Sequence, residues 1–231
     1  MKNKLIFLAL FVVLGFALSQ LPVNKLAGTK AQLTFFDMYY PVSGAFLGSW
    51  FGVIAVLAMQ IGNLVIHGFN GVDSHSVLRL IATLRFLPLI FGTLYFSFDK
   101  HNSKLSKLIL LAPLAAIISF NLNPIGRSVW YYSLFWTIPL LVWPLRQKFL
   151  LARSLGSTFT AHAVGGAVWI WAFHLPAVVW VGLVPVVILE RTVFALGMSA
   201  SYILLNNVLG YLEAKKLLPS GLVLNKKYLL K

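Results

Sequence analysis

Long apolar runs separated by short polar breaks fill this chain, and the run lengths predict its elements. Windows of about 20 apolar residues, enough to cross a hydrocarbon core as a helix, fall at Leu5 to Val23, Leu78 to Phe98, Leu105 to Leu122, Ser128 to Leu145 and Ser157 to His174. Two runs are longer than one crossing needs. Ala31 to His67 would extend about 55 Å as one helix against a core of about 30 Å, so it is expected to break. Gly48-Ser49 is the expected break, with Pro41 in a short first piece and Trp50 to Ile66 as the second. The alternative is one continuous helix on which Gly44, Gly48 and Gly52 make a small-residue packing stripe. Leu175 to Leu212 contains Pro176 and Pro185, so Ala177 to Leu189 reads as an interfacial or re-entrant helix, or a short span. A full span from Arg191 to Leu212 follows, and the adjacent Glu190 and Arg191 mark a bend.

These elements predict an all-α fold, a polytopic transmembrane helical bundle of about seven to eight passes with a broken or re-entrant segment near residues 176–190. Composition points the same way: 59% of residues are hydrophobic and 10% charged, against roughly 25% charged in an ordinary soluble domain. The net charge of +14 changes little, because Lys and Arg lie almost wholly between the apolar runs. There they read as topology signals and contacts with anionic lipids, and no nucleic-acid partner is expected. With a cytoplasmic start, Lys25, Lys30, Arg79 and Arg127 fall outside, Arg85 and Arg191 lie at membrane depth, and the remaining Lys and Arg fall inside. An external start with one fewer pass gives the same imbalance. The charges therefore predict a multi-pass protein of the plasma membrane with a cytoplasmic C-terminus, and Lys2 and Lys4 favour an inside start. Ala17-Leu18-Ser19 offers a secretory cleavage site as the other reading of the N-terminus, although the apolar run is long for that role.

Missing motifs narrow the chemistry. The absence of cysteine excludes disulfides, thiolate metal sites and a Cys nucleophile. Neither a GxxxxGK[ST] phosphate loop, an HExxH pair nor a GxSxG elbow occurs, so energised transport would need a partner or an ion gradient. His67, Asp73 and His75 fit no helix-face i, i+4 pair of ligands, and neither a metal nor a cofactor is expected.

Lys4 to Ser19, Phe35-Phe36-Asp37, Pro41, Gly44-Ala45-Phe46-Leu47-Gly48 and Gly52 through Gly62-Asn63 resemble the substrate-binding S-components of energy-coupling-factor transporters. The layout from Leu78 to Asp99 and on through Lys100, Lys104 and Lys107 is similar. The resemblance divides a single integral membrane domain into an S-component-like part (4–122), additional transmembrane helices (123–213) and a basic cytoplasmic tail (214–231). It implies a membrane-embedded substrate-binding component of a vitamin-like small-molecule uptake transporter, joined by a coupling transmembrane subunit and ATPase subunits. The chain departs from the family where Ala9 is followed four residues later by Val13, not by a second docking alanine.

Candidate substrate-binding residues are Asp37, Asn63, Arg85, His162, Trp169, Glu190 and Arg191; none is assigned a catalytic role. Ionised groups in apolar runs are costly and usually face a bundle interior or a polar cavity. His162 follows the same logic, among small residues that permit close helix approach, with Trp169 and Trp171 beyond it. The plainer readings are an ion pair of Arg85 with Glu190 or Asp37, an interhelical hydrogen bond for His162, and an interfacial belt of Trp130, Tyr131, Tyr132 and Trp136. Asn206 and Asn207 read as interhelical hydrogen-bond partners. The competing functions are an intramembrane enzyme acting on lipid or isoprenoid substrates, with His162 and Glu190 as acid and base, and a non-catalytic membrane assembly partner. Convergence of the charged residues on one place would discriminate among these.

Overall fold

Gly48 adopts φ +86°, a left-handed backbone value that glycine takes without strain, and the first long run breaks there. The computed structural model describes residues 2–25, 32–67, 84, 86–98, 104–219 and 222–230. Helix α1 (Lys2–Ser19) leads into an antiparallel two-stranded ribbon, β1 (Pro22–Lys25) with β2 (Gln32–Thr34), and then into α2 (Phe36–Leu47) and α3 (Ser49–His67). The break falls where run length placed it. The glycine stripe also has a use, but between two helices of a hairpin: a Cβ on Gly52 would lie 2.2 Å from the Gly44 Cα.

Next come α4 (Phe86–Ser97), α5 (Lys104–Lys107), and a 3-10 turn at Leu108–Leu110 running into α6 (Leu111–Leu122). Asn123 caps α7 (Pro124–Ser128) by accepting the Ile125 and Gly126 N–H groups, with Pro124 at the position where a missing N–H costs nothing. The window expected to be one span, Ser128 to Leu145, is instead a 3-10 helix (Trp130–Thr137), α8 (Ile138–Val142) and a 3-10 turn (Trp143–Leu145). Pro139 and Pro144, each lacking an N–H, sit in the first turns of the later pieces. Helix α9 (Leu150–Phe173) ends at His174, which takes a left-handed φ of 48°.

The segment expected to be broken or re-entrant is continuous. Helix α10 (Ala177–Ala214) is 38 residues long and runs through Pro185 and the Glu190-Arg191 pair without interruption. A single proline removes one ladder bond, whereas packing on both sides of it keeps α10 helical throughout. Trp180 and Val187 belong to one hydrophobic cluster, with Phe120, Tyr132, Trp136, Phe159 and Ile170. Phe194, Met198 and Tyr202 belong to another, built on α1, α2 and α3 around Phe11, Tyr39, Phe46 and Val56. Helix α10 thus spans two cores, and its charged pair lies at the seam.

The basic segment after α10, expected as a cytoplasmic tail, folds back onto the body. The Val223 N–H donates to the Phe46 carbonyl, and Leu222, Leu224 and Tyr228 pack on the core built on α1, α2 and α3. Asn206 and Asn207 hold this strap, correcting their assignment as interhelical partners: the Asn206 amide exchanges bonds with the Asn225 backbone at 2.8 and 3.0 Å, and Asn207 bonds Tyr228 and Leu230.

Among the described residues, two helices are long and apolar enough to cross a membrane, at Ser49–Ile66 and Ala177–Ala214. The apolar helices Asn3–Ser19, Phe86–Ser97 and Leu108–Leu122 are shorter. The polytopic transmembrane bundle is therefore corrected to a packed all-α body with a small β ribbon. The multi-pass plasma-membrane placement falls with it, as do the ATPase-energised transporter component and both membrane-based alternatives. The physical reason is that window hydropathy registers apolar content, and apolar content also fills cores. Many of the Phe, Tyr and Trp side chains that counted toward spans are buried in these two clusters or in a third around Tyr95, Ile109 and Trp143, and prolines divide a window that length alone would make one helix.

Candidate functional site

Four of the seven residues singled out from the sequence come together at the seam between the cores. Asp37 stands in the first turn of α2, His162 midway along α9, and Glu190 and Arg191 at the middle of α10. The Arg191 charge acts on Asp37, Tyr40, Tyr132 and His162, and the Glu190 charge acts on Asp37 and Tyr132. Arg85, Asp73 and His75 lie outside the described residues. Asn63 sits in the last turns of α3, and no described contact joins it to the cluster. Trp169 packs edge-on against Phe173 at 5.5 Å, also apart from it.

Adjacent positions on a helix point in different directions, which predicts separate partners for Glu190 and Arg191. Instead the two long side chains curl toward each other, and Arg191 Nη2 meets Glu190 Oε2 at 3.4 Å. The contact is long and single. Arg191 Nη1 donates to the Thr158 hydroxyl on α9 at 3.3 Å, and the guanidinium lies 4.7 Å from the Phe194 ring centroid. Each charged group thus uses one arm on the other and keeps one back: Glu190 Oε1 and Arg191 Nε are buried with no hydrogen-bond partner. Unsatisfied polar atoms at such depth are uncommon and cost roughly 1–3 kcal/mol each, more when charged.

His162 is bound at both ring nitrogens. The Trp136 indole N–H donates to Nδ1 at 3.0 Å, and Nε2 lies 3.2 Å from the Tyr132 hydroxyl oxygen. Both partners are buried, so Tyr132 and Trp136 are not members of an interfacial belt, whereas Trp130 and Tyr131 are exposed. Their i, i+4 spacing was visible in the sequence, but nothing there tied them to His162. Thr158, one turn before His162, and Tyr40, one turn after Asp37, were also not foreseen. Asp37 accepts the Thr34 N–H at Oδ2 (2.9 Å), which joins the ribbon to the site. Burial pushes its carboxyl above the ordinary range, against the opposing pull of that N–H and of Arg191.

Burial, and after it the Arg191 charge, holds the His162 pKa well below its ordinary 6.5. The folded imidazole is neutral where the unfolded chain begins to bind a proton, so the folded state binds fewer protons as pH drops below about 6.5. The stabilisation is complete above that pH and is lost as pH falls toward the folded value. Urea unfolding from about pH 7 to about pH 5 is expected to show falling stability in the wild type and a shallower fall in His162→Gln, even though the variant starts lower.

A cavity of about 640 Å³ lies elsewhere, between α4, α6 and α9, with Phe91, Ala116, Val164 and Trp171 in its wall. Trp171 there is already bonded to Ser119, at 3.0 Å to the hydroxyl and 3.2 Å to the carbonyl. The indole N–H is thus satisfied, in contrast with the open arms at the seam. No family model, curated protein or solved structure matches this chain, so the resemblance to S-components remains one of motifs alone.

Proposed function

We propose that the chain is a small-molecule-binding protein whose site is the seam cluster of Asp37, Tyr132, Thr158, His162, Glu190 and Arg191. The observation that carries this reading is the pair of free arms, a buried carboxylate oxygen and a buried guanidinium N–H on adjacent residues. A solute that donates to Glu190 Oε1 and accepts from Arg191 Nε satisfies both at once. Binding without catalysis fits the groups present: His162 is held by two partners, which leaves it no open nitrogen for proton transfer, and no thiol is available. The buried rings of Tyr40, Tyr132 and Phe194 beside the charged groups suit an occupant with an apolar body.

The test is extraction and mass spectrometry of compounds retained by the purified full chain, compared with Arg191→Met. A compound present in the wild type at near-stoichiometric amount and absent from the variant is the expected result. The same compound profile in both proteins contradicts the assignment.

A further inference from the structure

The tautomer of His162 follows from its neighbours, and it turns the Tyr132 hydroxyl proton away from the imidazole. An indole nitrogen only donates, so Trp136 at 3.0 Å from Nδ1 requires that Nδ1 be unprotonated. The ring proton of the neutral imidazole then sits on Nε2 and is donated to the Tyr132 oxygen at 3.2 Å. With its oxygen already accepting, the Tyr132 hydroxyl has its own hydrogen left to give. Resting on the seam as a binding site, we infer that Tyr132 is a specificity-determining donor of that site. The ligand it selects is a neutral group with an acceptor oxygen beside an N–H, as in a lactam or a uracil-type ring.

The charge balance limits the ligand in the same direction. Glu190 and Arg191 compensate each other at 3.4 Å, and His162 carries no charge in the tautomer that Trp136 imposes. Asp37 already receives the Thr34 N–H, and its burial favours the neutral carboxyl. An ionised ligand would bring into the seam a charge with no dedicated counter-ion, at a high desolvation cost. A lactam instead offers an oxygen to two donors, Tyr132 and Arg191 Nε, and an N–H to Glu190 Oε1. The seam thus reads both the order of donor and acceptor on the ligand and its lack of charge.

Two measurements on the full chain test this. The nitrogen-15 spectrum of His162 in the wild type reports the tautomer directly, with no variant needed. Nε2 protonated and Nδ1 bare is expected; a proton on Nδ1 overturns the relay. Saturation-transfer NMR titrations with uracil and 2-piperidone, beside benzoate and benzylamine as charged probes, report the ligand class. The lactams are expected to bind, with about tenfold weaker binding to Tyr132→Phe, the loss due to one hydrogen bond. Lactam binding that Glu190→Gln weakens and Tyr132→Phe does not would overturn the role of Tyr132 and leave the site standing. Preference for a charged probe, or no lactam binding, overturns the ligand class. Binding indifferent to Tyr132, Glu190 and Arg191 alike removes the site as well.

Discussion

Arg191→Met loses about 3 kcal/mol of unfolding free energy, and Glu190→Met with Arg191→Met in the same chain recovers most of it. The single variant leaves the Glu190 carboxylate, whose side chain is 10% exposed, without its compensating charge in a low-dielectric seam. Breaking a buried pair in this way is strongly destabilising, whereas replacing both members by apolar groups of similar volume is often neutral or favourable. Met fills the space next to Phe194 that the Arg191 side chain occupies now. Denaturant midpoints for the wild type, the two single variants and the double variant form a closed cycle that measures this coupling. Recovery in the double variant would mean that stability alone does not require the pair, as expected for groups with a binding role.

Gly156→Ala is the second large loss, about 3 kcal/mol, and Gly15→Ala costs far less although both new methyl groups collide at similar range. A Cβ on Gly156 would lie 2.1 to 2.2 Å from atoms of the Tyr95 ring, and one on Gly15 would lie 2.4 Å from the Met59 sulfur. The difference is what can move. Tyr95 is fully buried, donates its hydroxyl to the Pro139 carbonyl at 2.8 Å, and lies edge-on to Trp143 at 5.3 Å, with the Arg146 guanidinium 5.6 Å from its ring. Met59 is an unbranched side chain with rotamers to spare. Thermal unfolding of the two variants, side by side, checks the contrast.

Much of the helical content was legible in the sequence, and so was the turn at Gly48, because run length and a glycine with freedom at positive φ act locally. Continuity through Pro185 was not legible, since it depends on Trp180 and Phe194 finding separate cores on either side. The division of apolar residues between membrane and core was misread for the same reason: a window contains no record of what a side chain packs against. At the site, charge inside apolar runs singles out Glu190, Arg191 and Asp37, and a polar ring among small residues singles out His162, but nothing in the runs shows whether they meet. Tyr132 and Trp136 carried the signature of a belt because aromatic residues beside an arginine look alike whether they face outward or hold a histidine. The arm that each of Glu190 and Arg191 keeps free is a matter of side-chain geometry, which spacing does not encode.

The most direct measurement is experimental density at the seam, from a high-resolution structure of the chain purified without added ligands. The expected map shows a bound molecule bridging Glu190 Oε1 and Arg191 Nε, with an acceptor oxygen facing Tyr132. A map in which Arg191 turns to meet both Glu190 oxygens directly, with nothing between them and Tyr132, would contradict a binding role for the cluster.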